Sequence, residues 1–550
     1  MSSILTGPGV LGQWVEKHPD DDFLFQPVAG ELRKLSFRQC DDHARRMASA
    51  LLGLGLQPGD KVAILGKNCA EWLLADFAIA MAGLVSVPIY PTASVDTIRF
   101  IFEHSEAKAA FVGKLDDPDA IAAALPTSIP TVAFPYQTVS CQHEWPALID
   151  ASQPLDELHE PQAEDVMTIL YTSGSTGLPK GVVISYRAYH YGCTAARDVA
   201  KLGPDDRVLS YLPLAHVTER MAIIGPAIYA ATKIYFVDSL ETFQRDIKVA
   251  RPTLFASVPR LWVKFQAGVH AKIPPAKLKV LLAIPIVGRV VARKIREGLG
   301  LDAGRLFGSG AAPISPHTLR WYLKLGIRIS EGWGMSETSG LSCTNSPFDR
   351  RRIGTIGVPL EGTELKISDE GELLIRCPGL FTEYYKRPDL TAEAFDDDGF
   401  FRTGDRAEWD EDVQGFRITG RVKDIFKSAK GKYVTPVPIE SRLSANPLIE
   451  QVCVLGSGLP APVAVVVLSQ GGRQISRASV EASLKATLDD ANAHLESHEQ
   501  LAGIYVADEE WTPENDLMTP TLKVKRDKLD ARFLPVLDRD FGDGVAWERS

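Results

Sequence analysis

Apolar and polar positions along the chain alternate with two different periods. Lys61 to Leu65 reads as a buried strand, Leu73, Phe77, Ala80 and Met81 recur at helical spacing, and Val85 to Ile89 returns to strand character before the turn around Pro91. Asn68 followed by Glu71 has the form of an N-cap with its capping-box partner, so a helix is predicted to start there. Thr97 to Glu103 and then Ala109 to Val112 repeat the alternation, which predicts a mixed or parallel sheet covered by helices. Further on the pattern becomes antiparallel. Glu364 to Ile367 and Glu372 to Arg376 read as strands joined by the turn Ser368-Asp369-Glu370-Gly371, and Arg406 to Trp409 pairs with Phe416 to Thr419 around the turn 410–415. Past Gly420 a charged connector, Arg421 to Lys432, leads into a helix over 438–444 and strands over 451–455 and 462–468. The expected fold is α/β: a large N-terminal domain of mixed sheets flanked by helices with a β-rich subdomain, residues 1–420, and a small α/β C-terminal domain, residues 421–550.

A chain of 550 residues is too long for one ordinary core, which agrees with this subdivision. Hydrophobic residues make up 45% and charged residues 24%, the balance of a folded protein that can bury a core. The formal net charge of −10 argues against a dedicated nucleic-acid binder. Cysteines 40, 69, 141, 193, 343, 377 and 453 lie far apart with no CxxC pair, which favours a reducing, cytoplasmic compartment. Met1 to Gly12 lacks the basic and apolar regions of a secretory signal. The most apolar stretch, Val280 to Val287, is broken by Pro285, flanked by Lys277, Lys279 and Arg289, and too short to span a bilayer. It reads as an ordinary surface or partly buried helix, with peripheral contact to anionic lipid at the inner membrane face as the alternative.

The candidate chemistry begins at Tyr171-Thr172-Ser173-Gly174-Ser175-Thr176-Gly177-Leu178-Pro179-Lys180-Gly181, between the strand-like segments Val166 to Leu170 and Val182 to Ile184. Glycines let backbone N–H groups converge on an anion, hydroxyls add donors and Lys180 adds charge, a combination suited to polyphosphate. The spacing is not that of the nucleoside-triphosphatase P-loop, whose Gly-Lys-Ser/Thr ending opens a helix. By composition alone a flexible Ser/Gly loop is the alternative.

This run resembles the phosphate-binding loop of the adenylate-forming (AMP-binding) superfamily, which includes acyl-CoA synthetases, luciferases and the adenylation domains of peptide synthetases. Further motifs follow in the family's order: Ser309-Gly310-Ala311-Ala312-Pro313, Glu331-Gly332-Trp333-Gly334-Met335-Ser336-Glu337-Thr338, Thr403-Gly404-Asp405, Gly420-Arg421-Val422-Lys423-Asp424 and Leu517 to Arg526. Leu212 to Arg220 and Lys427 to Glu440 look closest to long-chain fatty acyl-CoA synthetases. The resemblance implies that Thr172, Ser173, Gly174, Ser175, Thr176, Gly177 and Lys180 hold the phosphates of ATP, and that Gly310, Ala311, Ala312, Trp333, Gly334 and Ser336 line the nucleotide site. It implies that Glu337 holds Mg²⁺, and that Asp405 binds ribose with Arg421 on the same nucleotide. Lys523 matches the near-terminal catalytic lysine, with Lys525 as the alternative, since the preceding residue is Leu522 where the family usually has Gly. Trp333 and Ser336 likewise stand where Tyr and Thr are commoner, and keep an aromatic plane and a hydroxyl. Lys525 and Arg526 otherwise read as surface charges.

His216, in a motif bordering the acyl site, is a substrate-positioning candidate, with a structural histidine as the alternative. Lys423 and Asp424 match a hinge on which the small domain moves, and Lys430, Gly431 and Lys432 would then face the pantetheine arm of coenzyme A. The implied reaction is ATP-dependent activation of a medium- or long-chain fatty acid to its adenylate, then transfer to coenzyme A. Delivery to a carrier protein, or a nucleotide-binding homologue without turnover, are the competing readings; acyl chain and oligomeric state are not legible.

Overall fold

The computed structural model describes residues 6–172, 179–519 and 523–549. Two large, mainly parallel sheets dominate the described N-terminal part. One places Lys61–Gly66 between Val85–Ile89 and Ala109–Gly113, all parallel, and continues from Val85–Ile89 to Val166–Thr172, then antiparallel to Lys180–Ser185 and Glu383–Tyr384. The other runs parallel through Asp22–Val28, Lys233–Phe236, Arg207–Ser210, Leu254–Ser257, Leu306–Ser309 and Ile329–Met335. The fold is α/β, as the alternation of short apolar runs and helical spacing predicts.

Between these sheets lies the helix Ala70–Met81, in which every residue but Asp76 is buried, as expected of a helix that is apolar all round. Its start differs from the sequence expectation. The N-cap is Cys69, and the Ala70 amide donates to Gln26 Oε1 at 3.0 Å from the neighbouring sheet. With that amide satisfied from outside, Asn68 is released for other contacts, and Glu71 takes Arg33 and Tyr136, each at 2.6 Å, instead of closing a capping box. One apolar cluster unites this helix with Val62 and Ile64 of the first sheet and Phe23, Val208 and Ile234 of the second.

An antiparallel sheet follows, ordered Glu364–Ile367, Glu372–Arg376, Phe401–Asp410, Gly415–Arg421. The last two strands outrun their sequence-predicted limits because they continue through Gly404 and Gly420, and this extension makes Asp405 and Arg421 direct cross-strand partners. The segment read as a charged connector is structured: a single turn over Val422–Asp424, then the hairpin Phe426–Lys427 and Tyr433–Val434. Beyond it, Ile449–Leu455, Val463–Leu468, Gly503–Ala507 and Val545–Trp547 form a sheet buried on both faces, Val463, Val465 and Val467 packing with Phe533 on one side and Ala464 and Val466 with Leu484 on the other. Arg260 ties this unit to the N-terminal part through Glu450 at 3.1 Å and Glu510 at 2.8 Å.

The apolar stretch Val280 to Val287 is not one helix. Pro285 starts a second one, so Pro275–Ala283 and Pro285–Leu299 meet at Ile284.

Candidate active site

Asp405 is held before any ligand arrives. The Thr403 hydroxyl donates to the Leu373 carbonyl at 2.6 Å and accepts the Asp405 amide at 3.1 Å, while the Gly404 amide donates to Glu372 Oε1 at 2.9 Å. The carboxylate then takes the indole Nε1–H of Trp333 on Oδ2 at 2.8 Å and Arg421 Nε near Oδ1 at 3.3 Å. A carboxylate has about four acceptor positions, so two hydroxyls of a sugar can still be received.

Trp333 lies within the strand Ile329–Met335, flanked by positions stripped of side chains. A Cβ on Gly334 would collide with the Gly340 carbonyl, and one on Gly310 would press on the Gly332 carbonyl at 3.1 Å. The result is a cavity of about 110 Å³ lined by Gly310, Ala311, Trp333 and Gly334 together with the apolar Ala196, Val199, Ala200, Leu254 and Leu306. The hydroxyls of Ser309 and Ser330, which border it, are buried with no hydrogen-bond partner among the described residues. Such orphaned donors fit a site completed by a ligand. Ala312 and Ser336 sit beside these segments, Ser336 opening the short turn that carries Glu337.

Glu337 is buried and accepts the Tyr384 hydroxyl on Oε1 at 2.9 Å. Tyr384 in turn lies under Lys180, whose Nζ is 4.8 Å from the ring centroid, and Lys180 pairs across the ladder with Thr172. Tyr384 thereby links Glu337 to Lys180, and the ladder links Lys180 to Thr172. Ser173, Gly174, Ser175, Thr176 and Gly177 lie outside the described residues.

Lys523 arrives from the C-terminal unit, held by the Thr519 amide on its carbonyl at 2.8 Å and by its own amide on the Thr519 hydroxyl at 3.1 Å. Burial lowers its pKa and Arg421 lowers it further, while Asp405 and Glu337 raise it, so its ammonium lies in the field of both carboxylates. Lys525 pairs with Asp516 instead, alongside Lys528. Arg526 departs from its reading as a surface charge: its side chain is 17% exposed and bonds Glu440 at 2.7 Å and the Val454 carbonyl at 2.7 Å, with Asp424 at 3.8 Å. The turn 430–432 is exposed, with Gly431 at φ +76° and a Cβ there meeting Lys427 Cε at 3.9 Å.

His216 sits on a braced loop. Asn68 donates to Ser210 Oγ at 2.8 Å and the Leu212 carbonyl at 2.6 Å and accepts from the Leu214 amide at 3.0 Å. On the other side Arg220 is buried among Asp76 at 2.5 Å, Thr168 at 2.7 Å and Ser86 at 2.8 Å. Burial, and secondarily Lys523, pushes the His216 pKa down to about 3. Its Nδ1 accepts the Thr218 amide at 3.1 Å, which puts the proton of the neutral ring on Nε2. The adjacent Glu219 accepts from the Tyr211 amide at 3.1 Å, its second oxygen has no partner among the described residues, and burial raises its pKa to about 8.

Residues 11–385 match the AMP-binding enzyme family, and residues 423–538 match the AMP-binding enzyme C-terminal domain. The chain belongs to that family. This AMP-binding enzyme is 31% identical to the long-chain-fatty-acid–CoA ligase FadD15 of Mycobacterium bovis over 94% of each chain. It is 32% identical to fatty acyl-CoA synthetase A of Dictyostelium discoideum, over 92% of this chain and 86% of the relative. The AMP-bound A-PCP didomain of carboxylic acid reductase from Segniliparus rugosus shares its fold with a TM-score of 0.81 at 22% identity, over 97% of this chain and 82% of that one.

Sequence reasoning did not single out Tyr384, Asn68 or Arg220 as site residues. Tyr384 lies in a strand of two residues, too short for any periodicity, and the other two act through contacts distant in sequence.

Proposed function

We propose that this AMP-binding enzyme activates a long-chain fatty acid with ATP and passes the acyl group to coenzyme A, releasing AMP and pyrophosphate. The observation that carries the reading is that Lys523 from one unit lies in the field of Asp405 and Glu337 from the other, with Asp405 bonded to Trp333 on the cavity wall, in a chain about 30% identical to fatty acyl-CoA ligases over nearly all its length. Trp333 offers a face to adenine, Asp405 and Arg421 take the ribose side, and Thr172 and Lys180 take the phosphates.

A carboxylate is already a nucleophile at neutral pH, so its attack on the α-phosphorus requires charge neutralisation rather than a base. Lys523 supplies it on the phosphoryl oxygens. Mg²⁺ fits the donor set: Glu337 is a hard ligand whose Oε1 already has a partner, and among the described residues no group of three or more ligating side chains forms a closed cage. One carboxylate together with phosphate oxygens is a common Mg²⁺ arrangement, and the ion would neutralise phosphate charge there. The neutral His216, donating from Nε2, would orient a substrate carboxylate oxygen and later the acyl carbonyl. The acyl chain would lie against the apolar lining residues Ala196, Val199 and Leu306.

For the second half-reaction, rotation about Lys423 and Asp424 would withdraw Lys523 and bring Lys430, Gly431 and Lys432 to the site, where the absent side chain at Gly431 leaves room for pantetheine. Carrier-protein delivery is the second reading, favoured by the fold shared with an adenylation–carrier didomain. Location is part of the same proposal: a cytoplasmic enzyme that meets membranes peripherally. Mass-spectrometric product analysis with ATP, acids of graded length, and coenzyme A separates these readings. Acyl-CoA from long acids supports the proposal; accumulation of acyl adenylate despite coenzyme A contradicts it.

A further inference from the structure

From Ile247 to Arg296 the chain carries eleven Lys and Arg and no Asp or Glu, although the whole protein has a formal charge of −10. This stretch contains the first of the two helices that meet at Ile284 and most of the second, whose last turn adds Glu297, paired with Arg293 at 3.3 Å. Their hairpin is tightly closed: the Gly288 amide donates to the Ile284 carbonyl at 2.6 Å, and a Cβ at Gly288 would run into the Leu282 carbonyl. The second helix buries Gly288, Ala292, Ile295 and Leu299 against the protein, and the first buries Leu278. What remains faces outward. Val280 is 63% exposed, Ile284 46% and Ile286 78%, with Val287 and Val290 beside them. Lys277, Lys279 and Arg289 surround this corner, and none has an ion-pair partner among the described residues.

We infer that this helical corner is a docking surface for an anionic lipid bilayer, with Ile284 and Ile286 entering the interface and Lys277, Lys279 and Arg289 meeting the headgroups. Contiguous exposed apolar groups cost solubility unless something covers them, and a rigid convex apolar tip ringed by cations matches an interfacial anchor. The charge excludes the simplest alternative occupant. A two-fold contact between copies of this chain would set the cationic ring against itself with no acid in the stretch to relieve it. Among the described residues no helix is long and apolar enough to cross a membrane, so attachment would be to the surface. The benefit to catalysis, a substrate acid partitioned into the same bilayer, rests on the proposed fatty-acid activity; the docking itself does not.

The test is flotation of the full chain, without substrates, on vesicles of phosphatidylcholine alone and of phosphatidylcholine mixed with phosphatidylglycerol. Binding is expected on the anionic vesicles, weakening as salt rises, since each basic residue near such a surface contributes about fivefold. Ile286→Asp should abolish flotation, and Lys277→Gln, Lys279→Gln and Arg289→Gln together should weaken it by roughly 100-fold. Circular dichroism of each variant checks that the fold is kept, and turnover of a long-chain acid supplied in detergent micelles without vesicles should be unchanged. Absence of wild-type flotation at low salt, flotation that Ile286→Asp leaves intact, or a wild-type dimer in sedimentation that Ile286→Asp dissolves would each overturn the inference.

Discussion

The indole of Trp333 donates to the carboxylate of Asp405 across 2.8 Å, joining the residue proposed for adenine to the residue proposed for ribose. Neither motif announces this bond. It fixes the ring plane and the carboxylate together, so the nucleotide meets a preformed edge rather than two independent side chains. Trp333→Phe keeps an aromatic face and removes the donor. KM for ATP should rise by roughly tenfold, the loss expected of one hydrogen bond to a charged group, with kcat little changed. Equal KM values in steady-state kinetics would show that the bond does not organise the site.

Tyr384 connects the residue proposed for phosphate to the one proposed for the metal, bonding Glu337 at 2.9 Å while Lys180 lies over its ring. Tyr384→Phe retains the ring and removes the hydroxyl. The Mg²⁺ concentration for half-maximal rate should increase about fivefold or more, since Glu337 loses the bond that orients it. An unaltered Mg²⁺ titration would separate Tyr384 from metal binding.

Glu219 makes stability depend on pH. Its ordinary carboxyl value is 4.5 and its folded value is raised to about 8 by burial, so between the two the folded state holds the proton that the unfolded state has lost. The sign is therefore a fall in stability as pH rises from about 4.5 to about 8, by up to roughly 1.4 kcal/mol per unit, and a plateau above. Glu219→Gln should flatten this dependence. Thermal midpoints of both proteins measured across that range check it; parallel curves would contradict it.

How much of this was legible before folding depends on the kind of signal. The strand at Lys61, the helix over Leu73 to Met81 and the hairpin Glu364 to Arg376 follow from local periodicity, and the structure places them there. Asn68 was misread because its local pattern is a helix cap while its actual partners are Ser210, Leu212 and Leu214, more than a hundred residues away. Arg526 was misread for the same reason: its charge suggests solvent, and only the tertiary fold brings Glu440 and the Val454 carbonyl to it. Motif order singles out Asp405 and Lys523, but their common electrostatic environment depends on how the two parts of the chain meet. Glycines at 404 and 420 look like strand ends, yet the ladder runs through them.

Gly431 should matter only after the adenylate has formed. Gly431→Leu is expected to slow thioester formation from supplied acyl adenylate and coenzyme A by about 10-fold or more, as a side chain obstructs the proposed pantetheine path, while leaving adenylate formation within about twofold. A rapid-quench comparison of the two steps checks this, and equal impairment of both would contradict a two-face use of the small domain.

In the proposed mechanism Lys523 neutralises charge during adenylate formation, and acid-dependent exchange of labelled pyrophosphate into ATP reads that step alone. The wild type should exchange label only when a long-chain fatty acid is added. Lys523→Ala should reduce the rate by about 10²–10³ while still converting supplied acyl adenylate and coenzyme A to thioester, and Lys525→Ala should exchange normally. Exchange without any acid, or undiminished exchange by Lys523→Ala, would contradict the account.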